Sequence, residues 1–268
     1  MFMLFLRVIS ALVGIPIVIA SVYYGGLWYA LFLILVVNLG TFEYNHLLKN
    51  KGYSASAILS FIGVSLFIVA LYFEKYDLIY PLIMALFFFL FIGALFNMEK
   101  MSITESALSL WGIIYIGGMS GYLLMLRMLP DGAMYTYLLL AGVWIHDTLA
   151  YFIGVKWGMR KFAPQISPNK SMEGSLAGIL GTVSIFFSAS ILIPGIIPLN
   201  PGQAVILALG ISVFAQLGDL LESALKRQLK VKDSGGIIPG HGGILDRFDS
   251  LFLTAPFVYC FFLLINVV

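Results

Sequence analysis

Residues 204–227 read AVILALGISVFAQLGDLLESALKR, and the rest of the chain has to be read in the light of this stretch. Its first half is ordinary membrane helix, a structure that takes roughly 20 mostly apolar residues to cross a bilayer. Then Gln216, Asp219, Ser223, Lys226 and Lys230 recur at three- and four-residue steps, a pattern that predicts one stripe along one helical face, with Glu222 beside it. An ionised carboxylate facing lipid is costly, so Asp219 is expected to face protein, a water cavity or an ion. An internal pair between Asp219 or Glu222 and a lysine, serving packing alone, is the plain alternative to a functional site.

The whole chain shares this character. Of its 268 residues 61% are hydrophobic and 10% charged, against about 45–50% apolar and 25% charged in a soluble domain. Cys260 is the only cysteine and lies in an apolar run, which excludes a disulfide framework and a thiolate zinc cluster. His46, His146 and His241 show no ligand spacing. Apolar runs predict an all-α polytopic membrane protein with nine spans, at 8–24, 27–46, 55–73, 79–97, 106–128, 134–155, 173–195, 203–225 and 250–267. The first is read as a retained span rather than a cleaved signal, because no small-residue cleavage site follows it.

Lys75 and Arg127 are the only basic residues in the odd-numbered connections; the other 13 of the 15 lie at the N-terminus or in even-numbered loops. The positive-inside tendency then predicts a cytoplasmic N-terminus and an outer C-terminus, with the basic loops facing cytosolic metabolites. Residues 1–130 read as a transmembrane scaffold and 131–268 as the region carrying the chemistry.

Three further stretches carry polar groups. VWIHDTLAYFIG (143–154) sets His146 and Asp147 inside the sixth span, with Asp147, Thr148 and Tyr151 to one side; a hydrogen-bonded structural Asp is as good a reading as a site residue. SPNKSMEG (167–174) predicts a turn entering a helix, with Ser171 as N-cap and Lys170 beside the free amides, an arrangement that suits an anion or simply caps the helix. The connection after the eighth span adds Lys226, Arg227, Lys230 and Lys232, then SGGIIPGHGG (234–243) and DRFD (246–249). Cations can neutralise phosphates, the glycines let several N–H donors approach a ligand, and Asp246 and Asp249 share a helical face if a helix opens there. Mg²⁺ prefers a few carboxylates together with substrate phosphates, and Asp219, Asp246 and Asp249 are its candidate ligands. There is no Walker A loop, and the strings IHDT and QLGD do not fit an intramembrane aspartyl protease. A lipid-headgroup patch would account for the lysines but not for the aspartates and glycines.

Ser223-x-Leu225-Lys226-Arg227, four residues, Lys232-Asp233, then Pro239-x-His241-Gly242-Gly243-Ile244-x-Asp246-Arg247-Phe248-Asp249 resembles the signature of the phosphatidate cytidylyltransferases over 27 consecutive residues. SPNKSMEG and Asp147 with the following YFIG are similar to two further recurring segments of that family, so the resemblance covers the C-terminal half. It implies the reaction of CTP with phosphatidate to give CDP-diacylglycerol and pyrophosphate, with Mg²⁺ and room for a second cation. The implied site comprises Asp219, Asp246, Lys226 and Arg227 as catalytic residues. Lys170, Ser167, Lys232, His241, Gly242, Gly243, Arg247, Asp147 and Glu222 would surround the substrates. The resemblance also implies a homodimer, no nucleic-acid partner, and a place in the inner membrane with the site facing the cytosol. A relative acting on another lipid phosphate, and an ion-coupled transporter using Asp147 and Asp219, are the alternatives.

Overall fold

In a computed structural model the chain is described over residues 2–96, 102–195, 197, 199–231, 233–240 and 242–266. A backbone inside a bilayer must satisfy its own hydrogen bonds, and the chain does so with helices. Among the described residues these are α1 Phe2–Tyr24, α2 Gly26–Lys49, α3 Ala57–Tyr72, α4 Ile79–Phe96 and α5 Ile103–Met128. They continue with α6 Gly132–Trp157, α7 Met172–Leu192, α8 Pro201–Gln228 and α9 Leu245–Asn266. Each expected span falls on one of them. Eight are long and apolar enough to cross a membrane, and α3, with 16 residues, is the short one. A small antiparallel hairpin, β1 Lys161–Ala163 and β2 Ser167–Ser171, precedes α7.

Where the ends differ from the sequence reading, local chemistry accounts for it. Ser102 and Glu105 form a reciprocal capping box that starts α5 at Ile103, ahead of the expected 106. At the far end of α8, Lys230 adopts a left-handed backbone (φ 52°) past the last helical residue, Gln228. Lys230 is therefore off the helical stripe expected of it, and the stripe ends at Lys226.

The chain divides into two compact units: Met1–Leu129 with Leu229–Phe248, and Pro130–Gln228 with Asp249–Val268. Residues 229–248 thus group with the N-terminal helices rather than with the C-terminal ones.

In the first unit α2, α3 and α5 make the closest approaches. A π-helical turn at Ile113–Gly118 interrupts α5 and brings Gly117 so near α3 that a Cβ there would lie 2.9 Å from the Val64 Cα. Tyr44 is buried, donates to the Leu108 carbonyl (2.9 Å), and stands beside the stacked rings of Trp111 and Tyr115. Arg127, one of the two exceptions to the charge count, donates from Nε to the Val22 carbonyl (2.6 Å), satisfying the end of α1. Arg7 of α1 donates from Nε to the Gly240 carbonyl (2.9 Å).

The second unit is built on small residues. Gly174 and Gly178 of α7, spaced as GxxxG, face α6: a Cβ on Gly174 would come within 2.9 Å of the Gly154 Cα, and one on Gly178 would strike the His146 ring. That contact buries His146 (1% exposed) against the Gly178 backbone. The large apolar side chains, among them Leu176, Leu180, Phe187 and Ile191 of α7, point outward. This inside-out distribution is that of an integral membrane protein, in which lipid, not water, meets the apolar exterior.

Candidate functional site

The second unit gathers the polar groups of four elements around the lower half of α8. Ser171 accepts from the Gly174 N–H (3.1 Å) and caps α7 as expected, so β2 ends rigidly on the helix start. Glu173, in the first turn of α7, accepts from the backbone N–H of Met159 (3.1 Å) and Arg160 (3.2 Å), which ties down the entry to the hairpin. Lys170, one residue before the cap, is thereby aimed at α8, where its Nζ lies 2.5 Å from Asp219 Oδ2.

Along α8 the face read from the sequence is real as far as Lys226. Ser175 Oγ donates to Gln216 Oε1 (2.8 Å), joining α7 to α8 one turn before Asp219. Ser223 Oγ donates to Asp219 Oδ1 (3.3 Å). Lys226 pairs with Glu222 one turn earlier (2.5 Å), the Glu222 side chain being 1% exposed. Arg227 donates from Nε to the Ile166 carbonyl (3.0 Å) and fastens the end of α8 to the hairpin.

Gly218 lets α9 come close: a Cβ there would lie 2.5 Å from the Asp249 carbonyl oxygen and 3.0 Å from the Ser250 Cα. Asp249 therefore sits at the level of Asp219, is buried (8% exposed), and feels the charges of Asp219, Asp147 and Lys226. Asp147 itself is exposed on α6. Asp147, Asp219, Glu222 and Asp249 stand against two lysines, Lys170 and Lys226, so the cluster carries excess negative charge.

That excess suits a hard cation. Among the described residues no three His, Cys, Asp or Glu side chains converge tightly enough to hold an ion by themselves. Mg²⁺ ordinarily asks for less, one or two carboxylates completed by water and substrate phosphate. Asp219, part-exposed, and Asp249 fit that partial set.

The first unit holds the glycine-rich connection. Asp246 Oδ2 accepts from the Ser234 N–H (3.1 Å), the Ser234 hydroxyl (2.9 Å) and the Gly243 N–H (2.9 Å). Gly242 has φ 85°, and a Cβ on it would press on this same Oδ2 at 2.9 Å. Beneath the loop lies a residue the sequence reading passed over, Glu43 of α2. It accepts from the N–H groups of Ile244 and Leu245, both at 3.0 Å, at the start of α9. The clue was available: Glu43 is an acid inside the expected span 27–46, the same anomaly that singled out Asp219. Ser167 is half-buried on β2 and Arg247 is exposed on α9. Lys232 and His241 lie outside the described residues.

Residues 5–265 match the cytidylyltransferase family. The chain belongs to that family. The phosphatidate cytidylyltransferase of Bacillus subtilis is 36% identical over 236 residues, covering 85% of this chain and 87% of the relative. That of Synechocystis is 32% identical over 288 residues, covering 97% of this chain and 96% of the relative. That of Staphylococcus saprophyticus is 32% identical over 252 residues, covering 93% and 95%. Family membership extends through residues 1–130, where the sequence motifs offered no specific resemblance.

Proposed function

We propose that this membrane cytidylyltransferase joins CTP to phosphatidate, forming CDP-diacylglycerol and pyrophosphate. The observation that carries the proposal is the acidic cluster of Asp219 and Asp249 with Lys170 and Lys226 at its edge, on membrane helices of a chain that matches the family almost end to end. A phosphate oxygen of the lipid attacks the α-phosphorus of CTP; the bond from that phosphorus to the bridging oxygen breaks, and pyrophosphate leaves with the electron pair. The attacking phosphate is already an anion, so no general base is required.

Lys170 and Lys226 are held by Asp219 and Glu222 through ion pairs between side chains, and such pairs can exchange partners. Incoming phosphate oxygens would draw the lysines away and leave the carboxylates to a metal. Mg²⁺, held by Asp219 and Asp249, would supply charge neutralisation at the phosphates. The metal role read for Asp246 rests on the sequence motif, and a second cation and a homodimer on the resemblance.

One substrate is a lipid and the other a soluble nucleotide, so the site belongs at a membrane face, and the distribution of Lys and Arg supports the cytosolic face of an inner membrane. Purified protein given CTP, Mg²⁺ and phosphatidate in mixed micelles is expected to release pyrophosphate and form a CDP-lipid. Folded protein that releases none would exclude this reaction and favour the transporter reading. Turnover only with another lipid phosphate would keep the chemistry and change the substrate.

A further inference from the structure

Glu43 stands in the last third of a 24-residue apolar helix, is 2% exposed, and makes no ion pair among the described residues. Its partners among the described residues lie on the glycine-rich connection and at the start of α9. Oε1 accepts from Ile244 N–H and Oε2 from Leu245 N–H, two of the amides that a helix start leaves without an intrahelical partner. The positive end of α9 adds to the attraction. Oε2 also lies 3.3 Å from Ser234 Oγ, whose hydroxyl is 2.9 Å from Asp246 Oδ2. A hydroxyl has one proton, so Ser234 serves one carboxylate at a time and couples the two.

The glycines fit around this carboxylate. A Cβ on Gly235 would lie 2.5 Å from Glu43 Oε1, and one on Gly243 would lie 2.5 Å from Oε2. Gly235 therefore fits against Glu43 alone, and Gly243 against Glu43 together with the Ser234 hydroxyl, which a Cβ there would meet closer still. At its other end the same connection is held by Arg7 on the Gly240 carbonyl.

We infer that Glu43 is a positioning residue: from the N-terminal helices it fixes the 234–246 connection and the start of α9 in the form the transfer reaction uses. The inference rests on the proposed cytidylyl transfer for its catalytic half and on geometry for its structural half. Glutamine in place of Glu43 keeps the shape but offers one acceptor oxygen, and its NH₂ would face an N–H donor. Aspartate keeps both acceptors on a shorter arm.

The test uses the full-length protein in lipid-supplied detergent micelles, comparing the parent with Glu43→Gln and Glu43→Asp. Amide hydrogen exchange of residues 242–248 is expected to rise about 10-fold or more in Glu43→Gln, the scale of losing hydrogen bonds to a charged acceptor, with exchange in 132–157 unchanged. In the same variant kcat is expected to fall about 10–100-fold at unchanged midpoint of thermal unfolding, with Glu43→Asp recovering part of both losses. Unchanged exchange in 242–248 overturns the inference. So does faster exchange with normal kcat and KM, which would make Glu43 a fold residue only. If Glu43→Gln does not fold, Glu43→Asp decides by the same two readings. A parent protein that makes no CDP-lipid defeats the functional proposal instead, and the exchange comparison still judges the brace.

Discussion

Four carboxylates, two in each unit, are held in opposite ways. In the second, Asp219 and Glu222 are paired with lysine side chains, Lys170 and Lys226, each at 2.5 Å. In the first, Glu43 and Asp246 are held by backbone N–H groups and one serine hydroxyl. A lysine is a flexible point charge that can leave for a phosphate. A backbone amide cannot leave without unwinding a turn. The difference separates groups free to exchange partners, as chemistry demands, from groups that hold a connection still. Asp219 and Asp246 look equivalent in the sequence, each a candidate metal ligand, and the structure gives them different surroundings.

The largest effect expected is that of Asp219→Asn. It should lower kcat/KM about 10³-fold or more, the scale of losing one preorganised electrostatic contact to a transition state together with a metal ligand. Chelation of divalent ions should abolish the parent's activity and addition of Mg²⁺ restore it, with the Mg²⁺ requirement of any residual turnover shifted to higher concentration in the variant. Hydrogen exchange in 242–248 should not change. Exchange that rose there would break the division of labour between the two kinds of carboxylate.

Asp246→Asn comes next, at about 10²-fold in kcat, with the opposite signature in exchange. Loss of charge weakens three hydrogen bonds to Oδ2, each worth about 1.5–3 kcal/mol when one partner is charged. Residues 234–243 should exchange faster. A variant that lost activity and gained a higher Mg²⁺ requirement, with normal exchange, would show Asp246 to be a metal ligand and not a clamp.

The spans, the Ser171 cap, and the α8 face from Gln216 to Lys226 were readable because they depend on local periodicity and on neighbours within a few residues. The capping box that starts α5 is as local, and Ser102 and Glu105 stand in the sequence in the right order for it. What could not be read is pairing across the chain. Nothing near Lys170 says that it meets Asp219, 49 residues on, and nothing near residue 244 says that an acid at 43 supports it. The glycine at 235 invited a ligand-based reading because its true neighbour, Glu43, is far away in sequence. Lys230 shows the reverse error: a three-to-four-residue rhythm was extended past a left-handed residue that no side-chain pattern announces.

Lys170→Met should act less strongly than either aspartate. It removes the partner of Asp219 while keeping most of the side-chain length, so the expected outcome is a rise of about 10-fold in the KM for CTP or for lipid, the scale of one charge-assisted hydrogen bond. Lys226→Met should be worse, because it removes the cation 2.5 Å from Glu222, whose side chain is 1% exposed. Thermal unfolding distinguishes them: Lys226→Met should lower the midpoint, and Lys170→Met, whose pair is part-exposed, should leave it nearly in place. Equal destabilisation would mean that the Lys170 pair also serves the fold.

The smallest effects come from two serines, and they compare the units most cleanly because each loses only a hydroxyl. Ser234→Ala removes the proton shared between Glu43 and Asp246 at a position 1% exposed, but keeps the backbone N–H that also serves Asp246. One neutral donor to a carboxylate in a dry site is worth about 1–2 kcal/mol, so a fall of about 5–30-fold in kcat is expected, with faster exchange confined to 234–246. Ser223→Ala removes a longer bond, 3.3 Å, to the already paired Asp219, and should cost less than about threefold with no change in exchange. Both serines donate to a candidate metal ligand, but only Ser234 also reaches a second carboxylate, Glu43, 191 residues away. If the two substitutions behaved alike, the connection would be held by its backbone contacts alone, and the coupling between Glu43 and Asp246 through Ser234 would have no functional weight.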